Sequence, residues 1–398
     1  MDTVRTVFTA PWNGRKDGCS PEMPGKTAWP SGVRIGKGMR MRMIVTGGGT
    51  GGHLFPGIAV AEEMLRRFPQ GKILFVSTDR AIDNKTLAAR SFEKKAIACL
   101  PLKGKSLWGT LKSMAQLPIS LWQALRIVSS FKPQLVLGVG GYVTGPVVLA
   151  ARLMGVKTCI HEQNSIPGMA NRMLGKIVDQ VYISIPGSEG FFPEGKAVLT
   201  GNPVREELLK AAGQQKDRAA LKTVLVLGGS QGAHRVNGLM VEAFAAKPTA
   251  DAVRVHHQTG NSDEEWVRKA YAAAGVTAQV SAFIGDMAAA YRDADLVVSR
   301  AGATTLAELA VLGKPAILIP YPYAADDHQT TNAAFLAQGG AALMFQERDL
   351  DAPKLRGEIL GLLNDAPRLQ GMAVKMKHFA RPEATAAIVE KSIQLLAD

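Results

Sequence analysis

A glycine-rich run at residues 47–53, with the sequence Gly-Gly-Gly-Thr-Gly-Gly-His, joins an apolar segment at 43–45 to a helix-like segment at 58–65. Glycines permit a sharp turn and a close approach of the backbone to a ligand. The free N–H groups and the positive end of the following helix then face one spot, which favours a phosphate. His53 adds a titratable ring that could abstract a proton there or only donate a hydrogen bond.

A second glycine-rich run, Gly-Gly-Ser-Gln-Gly-Ala at residues 228–233, lies between the apolar segment 224–227 and an amphipathic segment at 236–244. Ser230 suits the capping of a helix, donation to a phosphate, or both. Two units of strand, glycine turn and helix predict two domains of similar construction that face one cleft.

Polar groups also gather after other predicted strands, where parallel sheets bind their ligands. Residues 161–164, His-Glu-Gln-Asn, place four hydrogen-bonding side chains in a row. Residues 140–146 form another glycine-rich strand exit, which suits an anion, a hydroxyl group or only a tight turn. Residues 326–332 are dense in donors and acceptors, as the hydroxyls of a sugar would require.

Two charged residues, Arg205 and Glu308, can be interpreted either structurally or as ligand contacts. Asn202 and Pro203 are typical of a helix start, with Asn202 as the N-cap. Arg205 would then place a cation against the positive end of the helix dipole, which a phosphate partner would explain. Glu308 follows Thr305 at the spacing of a capping box, and its other role would be to bond the hydroxyls of a ribose.

Apolar strands alternate with helical patterns along most of the chain. They are predicted at residues 43–45, 73–77, 135–138, 158–161, 180–183, 223–227, 253–258, 296–299 and 316–319. Their lack of polar alternation indicates parallel sheets covered by helices on both faces. The uncharged stretch 134–151 is long enough for a membrane span, but its glycines favour a strand, a turn and a helix that starts after Pro146.

Composition narrows the class of protein. The 398 residues suffice for about two domains, and the net charge of +13 favours an anionic partner such as a phosphorylated metabolite, nucleic acid or a membrane surface. Three widely spaced cysteines exclude a disulfide framework and a zinc cluster and indicate a reducing, cytoplasmic setting. Residues 1–40 lack periodicity and an apolar export signal, so we expect either a mobile extension or the result of an upstream choice of start codon.

One further segment, residues 102–127, combines apolar bulk with four basic residues and no acidic residue. Such a helix suits contact with anionic lipid head groups, and packing on the core is the competing interpretation.

Asp293 and Asp295 have the Asp-x-Asp spacing with which other transferases bind a divalent ion. Here the two residues precede a predicted strand, so they lie at the end of the sheet opposite to the one where ligands bind.

Taken together, the motifs resemble those of the MurG family of glycosyltransferases, in the family's order from residue 41 to about residue 398. They are residues 47–53, 140–146, 161–164, 201–205, 228–233, 300–308 and 327–329. The resemblance implies an α/β GT-B fold, in which two Rossmann-like domains with parallel sheets face a deep interdomain cleft. The acceptor and membrane-facing domain would span 41–204, the UDP-GlcNAc-binding domain 205–381, and a last helix at 382–398 would return to the first domain.

The same resemblance implies an inverting transfer of N-acetylglucosamine (GlcNAc) from UDP-GlcNAc to the MurNAc 4-hydroxyl of undecaprenyl-pyrophosphoryl-MurNAc-pentapeptide. This is the last intracellular step of peptidoglycan precursor synthesis. It implies anionic phospholipid of the cytoplasmic membrane as a further partner, a peripheral location on the cytoplasmic face of the inner membrane, no nucleic acid, no cofactor and no metal. Residues 1–40 have no counterpart in the family, and His328 stands where some members carry glutamine.

By this resemblance, His53 is the leading candidate for the catalytic base and Glu162 the second. Ile284 would hold uracil through its backbone, Glu308 the ribose, Arg205 and Ser230 the diphosphate, and Gln329 the sugar hydroxyls. The full set of implied substrate contacts is Thr50, Gly51, Gly52, Tyr142, Asn164, Arg205, Ser230, Ile284, Ala303, Thr304, Thr305, Leu306, Ala307, Glu308 and Gln329.

Two other functions fit parts of the sequence. Residues 47–52 also match the GxGxxG dinucleotide fingerprint, and Asp79 lies where a ribose-binding acid would follow in an NAD-dependent oxidoreductase. That hypothesis leaves residues 228–233, 300–308 and Gln329 without a role. A non-catalytic peripheral membrane protein that binds a UDP-sugar as a signal would instead rest on residues 102–127.

Overall fold

The computed structural model describes residues 40–48, 51–80, 87, 90, 92–99, 107–214, 221–229, 232–245 and 253–397, with only the backbone at 51 and 107–115. The extension expected at 1–40, apart from Arg40, lies outside these residues. Two candidate substrate contacts, Thr50 and Ser230, also lie outside them.

The first sheet is parallel and has the order β3-β2-β1-β4-β5-β6-β7 in the described part of the chain. Its strands are β1 (Arg42–Thr46), β2 (Lys72–Ser77), β3 (Glu93–Ala96), β4 (Leu135–Gly138), β5 (Lys157–Glu162), β6 (Gln180–Ile183) and β7 (Ala197–Leu199). Met43 and Val45 of β1 pack into one apolar cluster and Ile44 into another. Because alternate side chains leave opposite faces of a strand, the sheet is covered on both sides.

The second sheet is also parallel, with the order β10-β9-β8-β11-β12-β13. Its strands are β8 (Lys222–Leu227), β9 (Val253–Gln258), β10 (Ala278–Ser281), β11 (Leu296–Ser299), β12 (Ala316–Leu318) and β13 (Ala342–Met344). Val224 and Val226 of β8 pack in one cluster, and Leu225 and Leu227 in the other. The prediction of two parallel sheets covered on both faces is confirmed.

Helices connect the strands and cover both sheets. The described helices are α1 (Gly51–Arg67), α2 (Leu107–Phe131), α3 (Thr144–Leu153), α4 (Met169–Leu174), α5 (Glu206–Ala211), α6 (His234–Ala245), α7 (Glu264–Ala273), α8 (Met287–Asp293), α9 (Ala303–Leu312), α10 (His328–Gln338), α11 (Ala352–Asn364), α12 (Ala366–Lys377) and α13 (Ala384–Ala397). None of them combines the length and the apolar content that crossing a membrane requires.

The last helix, α13, packs on the first sheet's helix α1 although it follows the second sheet along the chain. Ile388, Val389 and Ile393 are buried in the same cluster as Met43 of β1. A hydrogen bond of 2.9 Å joins the Tyr182 hydroxyl of β6 to the hydroxyl of Ser392. The chain therefore crosses between the two halves twice, at residues 200–205 and 378–383.

The structure corrects several predicted boundaries. The predicted strands omitted β3, β7, β10 and β13, which are short strands at or near the edges of the sheets. The helix predicted to start after Pro146 begins at Thr144, because proline is tolerated in the first turn, where its missing N–H has no partner to lose. The limits predicted for the two domains remain predictions.

Candidate active site between the two sheets

The first glycine-rich run brings the start of α1 to the carboxyl edge of the first sheet. Gly47 donates its N–H to the Val76 carbonyl at 3.2 Å, which fixes the run beside β2. Gly141 has φ +86°, and a Cβ there would lie 2.6 Å from the Gly48 carbonyl. Two glycine turns are thus packed backbone to backbone, an arrangement that side chains would prevent.

His53 stands at the start of α1 and faces the end of β5. Its Nδ1 lies 3.3 Å from Gln163 Oε1, and Gln163 Nε2 donates to the Val139 carbonyl at 2.9 Å. Gln163 Nε2 also lies 3.2 Å from His161 Nδ1. Burial lowers the pKa of His53, against an opposing effect of Glu162, so the ring is neutral near pH 7.

Glu162 is buried at the end of β5 and uses both carboxylate oxygens to hold the following loop. Oε1 accepts from the backbone N–H of Asn164 at 2.9 Å, and Oε2 accepts from Asn171 Nδ2 at 2.8 Å and from the Gly168 N–H at 3.2 Å. Both carboxylate oxygens are thus engaged in holding this loop. The assignment of His53 as the first candidate for the base and Glu162 as the second stays a prediction.

The loop after β5 also ties the two halves together. The Ser165 N–H donates to Asn332 Oδ1 of α10 at 2.9 Å, and Asn332 Nδ2 donates to Asn164 Oδ1 at 3.2 Å. Asn332 is fully buried. Asn164, predicted on the acceptor side, is thus placed at the boundary with the second half.

The start of α9 faces the start of α1 across this boundary. Thr304 Oγ1 of α9 donates to the Gly52 carbonyl of α1 at 3.2 Å. Gly302 precedes α9 without any side-chain cap, which leaves the first N–H groups of the helix without that partner. Because α9 begins at Ala303, Thr305 lies inside it, and the capping-box interpretation of Thr305 and Glu308 is wrong.

Glu308 of α9 is buried and accepts two hydrogen bonds. Arg205 Nη2 donates to Oε1 at 2.9 Å, and the Tyr291 hydroxyl of α8 donates to Oε2 at 2.9 Å. Burial alone would lower the pKa of Arg205, but Glu308 outweighs it and the pKa is raised. Burial first, and Glu308 second, raise the pKa of Tyr291 well above its usual value. This trio therefore consists of a cation, an anion and a neutral phenol.

Arg205 has a carboxylate partner where the sequence predicted a phosphate. Its guanidinium also lies 3.8 Å from the exposed Glu207 and 5.1 Å from the centre of the Phe55 ring of α1. The N-cap prediction for Asn202 is wrong, because the backbone continues extended to Arg205 and α5 begins only at Glu206. The Asn202 amide is instead buried in a cavity between the halves and has no partner among the described residues.

The remaining candidates occupy different surroundings. Gln329 Oε1 accepts from the N–H groups of Ala301 and Tyr321, at 3.2 and 3.0 Å, and so fastens the loops after β11 and β12. Ile284 is buried, whereas the neighbouring Phe283 is 59% exposed. Tyr142 is half-buried beneath the guanidinium of Arg80, 5.3 Å away.

Three further candidates, Ala303, Leu306 and Ala307, line the cavity between the halves. No group of His, Cys, Asp and Glu in the described ranges is arranged to hold a metal ion. Asp295 accepts a backbone hydrogen bond from Thr223 at 2.7 Å, so this carboxylate anchors the start of β8.

Sequence reasoning gave no specific role to three residues that organise the site. Gln163 lies within the run 161–164, and Asn332 ends the polar run 326–332, so both fell inside motifs that were noticed. Tyr291 lies in an alanine-rich helix and carries no local signal; only its contact with Glu308 in the fold identifies it.

Comparison with known proteins identifies the family. The model of the glycosyltransferase family 28 N-terminal domain matches residues 43–183, and that of the family 28 C-terminal domain matches residues 223–388. A Desulfotalea psychrophila protein named UDP-N-acetylglucosamine--N-acetylmuramyl-(pentapeptide) pyrophosphoryl-undecaprenol N-acetylglucosamine transferase is 49% identical, over 90% of this chain and 97% of the relative. A Geotalea daltonii protein of the same name is 46% identical, over 88% of this chain and 97% of the relative.

A solved structure agrees with these relatives. The crystal structure of Acinetobacter baumannii MurG matches with a TM-score of 0.70 and 33% sequence identity, over 89% of this chain and 99% of that one. The chain therefore belongs to glycosyltransferase family 28, as a GT-B glycosyltransferase of the MurG family.

Proposed function

We propose that the chain transfers GlcNAc from UDP-GlcNAc, with inversion, to the MurNAc 4-hydroxyl of undecaprenyl-pyrophosphoryl-MurNAc-pentapeptide. The names of the relatives support the substrates. The observation that carries the proposal is the meeting of two helix starts, α1 from one half and α9 from the other, at the Thr304–Gly52 hydrogen bond. Helix N-termini attract anions, and a sugar nucleotide bound between them would present its diphosphate to α9.

Family membership argues against the NAD-dependent oxidoreductase. Asp79, which that hypothesis assigns to a ribose, has a side chain 83% exposed and lies 4.0 Å from Lys94 Nζ. The NAD hypothesis also assigns no role to Glu308, Arg205 or Gln329.

On the donor side, Arg205 and Glu308 have to separate for each to reach the nucleotide. The carboxylate of Glu308 would bond the ribose hydroxyls, while the guanidinium of Arg205 would turn to the diphosphate. Charge that grows on the leaving UDP is then stabilised by Arg205 and by the N–H groups at the start of α9. Such stabilisation performs the task for which other transferases use a metal ion.

On the acceptor side, His53 would take the proton of the attacking sugar hydroxyl. A base must be neutral to do so, and burial, which lowers the pKa of His53, keeps it neutral at physiological pH. The hydroxyl oxygen forms a bond to the anomeric carbon as the bond to the UDP oxygen breaks, so a single displacement inverts that carbon.

The test is an assay of GlcNAc transfer to a lipid-linked MurNAc-pentapeptide, with and without EDTA. We expect a β-linked disaccharide product, transfer that EDTA does not abolish, and no product with NAD in place of the sugar nucleotide. Binding of UDP-GlcNAc without any transfer would favour the non-catalytic sensor instead. Transfer lost in EDTA and restored by a divalent cation would contradict the metal-free mechanism.

Anionic phospholipid is proposed as a further partner, at an exposed apolar surface formed by α2, α3 and α4. Ile119 and Trp122 of α2 are 53% and 52% exposed, and Met169 and Met173 of α4 are 62% and 66% exposed. Arg126 lies over the Trp122 ring, 3.8 Å from its centre. The opposite face of α2 packs on the core through Ala124 and Val128, as the competing interpretation of the segment 102–127 expected, whereas lipid contact stays a proposal. Apolar side chains beside cations suit the boundary of an anionic bilayer.

Vesicle sedimentation tests this surface. Replacing both Ile119 and Trp122 by glutamine should weaken binding to vesicles that contain phosphatidylglycerol, and added salt should weaken the binding of the unmodified protein. The matched control is Val374→Gln, since Val374 of α12 is 48% exposed and lies in the second half. Equal loss in the control, or equal binding to purely zwitterionic vesicles, would contradict the proposal.

A further inference from the structure

A path of hydrogen bonds runs from the crossing between the halves to the ring of His53. It begins at the Gly201 carbonyl, which lies 3.1 Å from His161 Nε2. It continues from His161 Nδ1 to Gln163 Nε2 at 3.2 Å and from Gln163 Oε1 to His53 Nδ1 at 3.3 Å. Because each carbonyl oxygen can only accept, the direction of every bond in the path can be worked out.

The first direction is set at Gly201. Its carbonyl accepts, so His161 Nε2 carries the proton, and in a neutral ring His161 Nδ1 is then an acceptor. Burial lowers the pKa of His161 to about 4, which keeps that ring neutral. The Ser184 hydroxyl, 3.0 Å from the same Nε2, can accept as well and does not disturb this direction.

The second direction is set at Val139. Its carbonyl lies 2.9 Å from the amide of Gln163 and can only accept, so the NH₂ end of that amide faces it. The other N–H of Gln163 points to His161 Nδ1, the acceptor just identified. Turning the amide over would set oxygen against the Val139 carbonyl and against a lone pair of His161. Two independent acceptors thus fix Gln163 Oε1 toward His53.

We infer that Gln163, oriented by Val139 and His161, is a positioning residue that holds His53 as the Nδ1–H tautomer and leaves the lone pair on Nε2. This rests on the proposed function, in which His53 is the base. The opposite tautomer would set the lone pair of Nδ1 against the amide oxygen. Gly140 allows the ring to sit here, since a Cβ at that residue would lie 2.7 Å from His53 Nδ1.

Titratable neighbours change the pKa of His53 but do not select its tautomer. Burial lowers the pKa of His53. Among its titratable neighbours, Glu162 from β5 raises the pKa of His53 and His328 from α10 lowers it, and His53 in turn lowers the pKa of His161. None of them is hydrogen-bonded to Nδ1 of His53 among the described residues. The hydrogen-bond acceptors that act on the ring are neutral, namely the Gln163 amide oxygen and the Val139 carbonyl, and Gln163 Oε1 lies 3.3 Å from Nδ1.

The direct test is ¹⁵N NMR of the histidine rings in the resting protein, with His53→Gln used to assign the His53 signals. We expect a proton on Nδ1 and a pyridine-like Nε2 in the unmodified protein, and a mixture of tautomers in Gln163→Leu. Protonation on Nε2 in the unmodified protein would overturn the inference even if every variant failed to fold.

Kinetics test the consequence for catalysis. Gln163→Leu should lower kcat by about tenfold or more, while the KM for UDP-GlcNAc stays within about twofold, because general-base catalysis is what the lost orientation removes. The matched control is Gln180→Leu, which removes a hydrogen bond to the Lys196 carbonyl at the edge of the first sheet and should leave kcat unchanged.

Two substitutions of His161 separate positioning from packing. His161→Asn keeps an acceptor near the position of Nδ1 and should retain most of kcat, whereas His161→Leu removes that acceptor and should lower it. Equal loss in both would contradict the path through His161.

The outcomes also separate this inference from the proposed function. If Gln163→Leu gives a mixture of His53 tautomers while kcat stays unchanged, His53 is not the base and the proposed function fails at that point. An Nε2–H tautomer in an active protein would show that the positioning inference alone is wrong.

Discussion

Glu308 gathers partners from two separate segments, Arg205 from the first crossing between the halves and Tyr291 from α8. The side chain of Arg205 is only 15% exposed and that of Glu308 only 7%. A buried ion pair adds little net stability when intact, but breaking it leaves an uncompensated charge away from water. Removing one member of the pair should therefore destabilise the fold.

Glu308→Gln should lower the free energy of unfolding by about 3 kcal/mol, since the guanidinium of Arg205 would remain buried beside a neutral amide. Chemical denaturation measures the loss. The control is Glu207→Gln. The carboxylate of Glu207 lies 3.8 Å from Arg205 and its side chain is 51% exposed, so this substitution should lower the free energy of unfolding by less than about 1 kcal/mol. Similar losses of unfolding free energy in the two variants would contradict a larger contribution from the buried ion pair than from the exposed one.

For single residues, the sequence predicted membership of the site more reliably than it predicted the contacts that each residue makes. Charge, spacing and the family resemblance pointed to Arg205 and Glu308, and both lie at the boundary between the halves. That they bond each other could not be predicted, because they are far apart in the chain and meet only when α9 packs against the first crossing. The N-cap prediction for Asn202 failed for a local reason. The helix α5 begins at Glu206, so Arg205 and not Asn202 is the residue that precedes it.

Among the elements, the glycine turn between β4 and α3 leaves little room for any side chain. Gly140 and Gly141 have φ values of +103° and +86°, which residues with side chains rarely adopt. Their missing side chains also leave room for the His53 ring and for the Gly48 carbonyl. The turn therefore shapes the start of α1 and the end of β4 at the same time.

Gly140→Ala should lower kcat by about a hundredfold, because a methyl group would push the His53 ring away and a displacement of about 1 Å has that effect. Steady-state kinetics and the thermal midpoint should be measured together. Gly145→Ala is the control, since a Cβ at that residue of α3 has open space around it. Unchanged kcat in Gly140→Ala would show that the ring does not need its present position.

Long apolar strands were predictable because parallel strands buried on both faces contain little else. β3 has the sequence Glu-Lys-Lys-Ala, so no apolar run signals it, and within the described residues it pairs with β2 alone. β13 has only three residues, and its place at the edge follows from pairing with β12. Edge strands of this kind are defined by their neighbours in space, which the sequence does not show.

For the whole molecule, α13 completes the core of the half in which the described chain begins. Its buried face adds Ile388, Val389 and Ile393 to the cluster that contains Met43 and Leu135. The first half is therefore incomplete until the chain has passed through the second half and returned. The fold was predictable in outline from the paired glycine turns and the family resemblance.

Ile388→Ala should destabilise the first half by about 2–5 kcal/mol, the cost of a large-to-small change in a core. Lys391→Ala, at an exposed residue of the same helix, should change stability by less than about 0.5 kcal/mol. Hydrogen exchange followed by mass spectrometry should show faster exchange in β1 and α1 but not in β8. Faster exchange confined to the second half would contradict the assignment of α13 to the first.

The two crossings also touch each other, and this determines how the halves can move. A Cβ at Gly201 would lie 2.5 Å from Cβ of Arg381, so the outgoing and returning segments lie side by side. Two adjacent tethers permit rotation about one pivot and resist sliding or separation. Points far from a pivot sweep the widest arc, so a rotation of one half against the other would leave the bond from His161 to Gly201, which lies at the pivot, nearly unchanged. The hydrogen-bond path that ends at His53 would then persist through such a rotation.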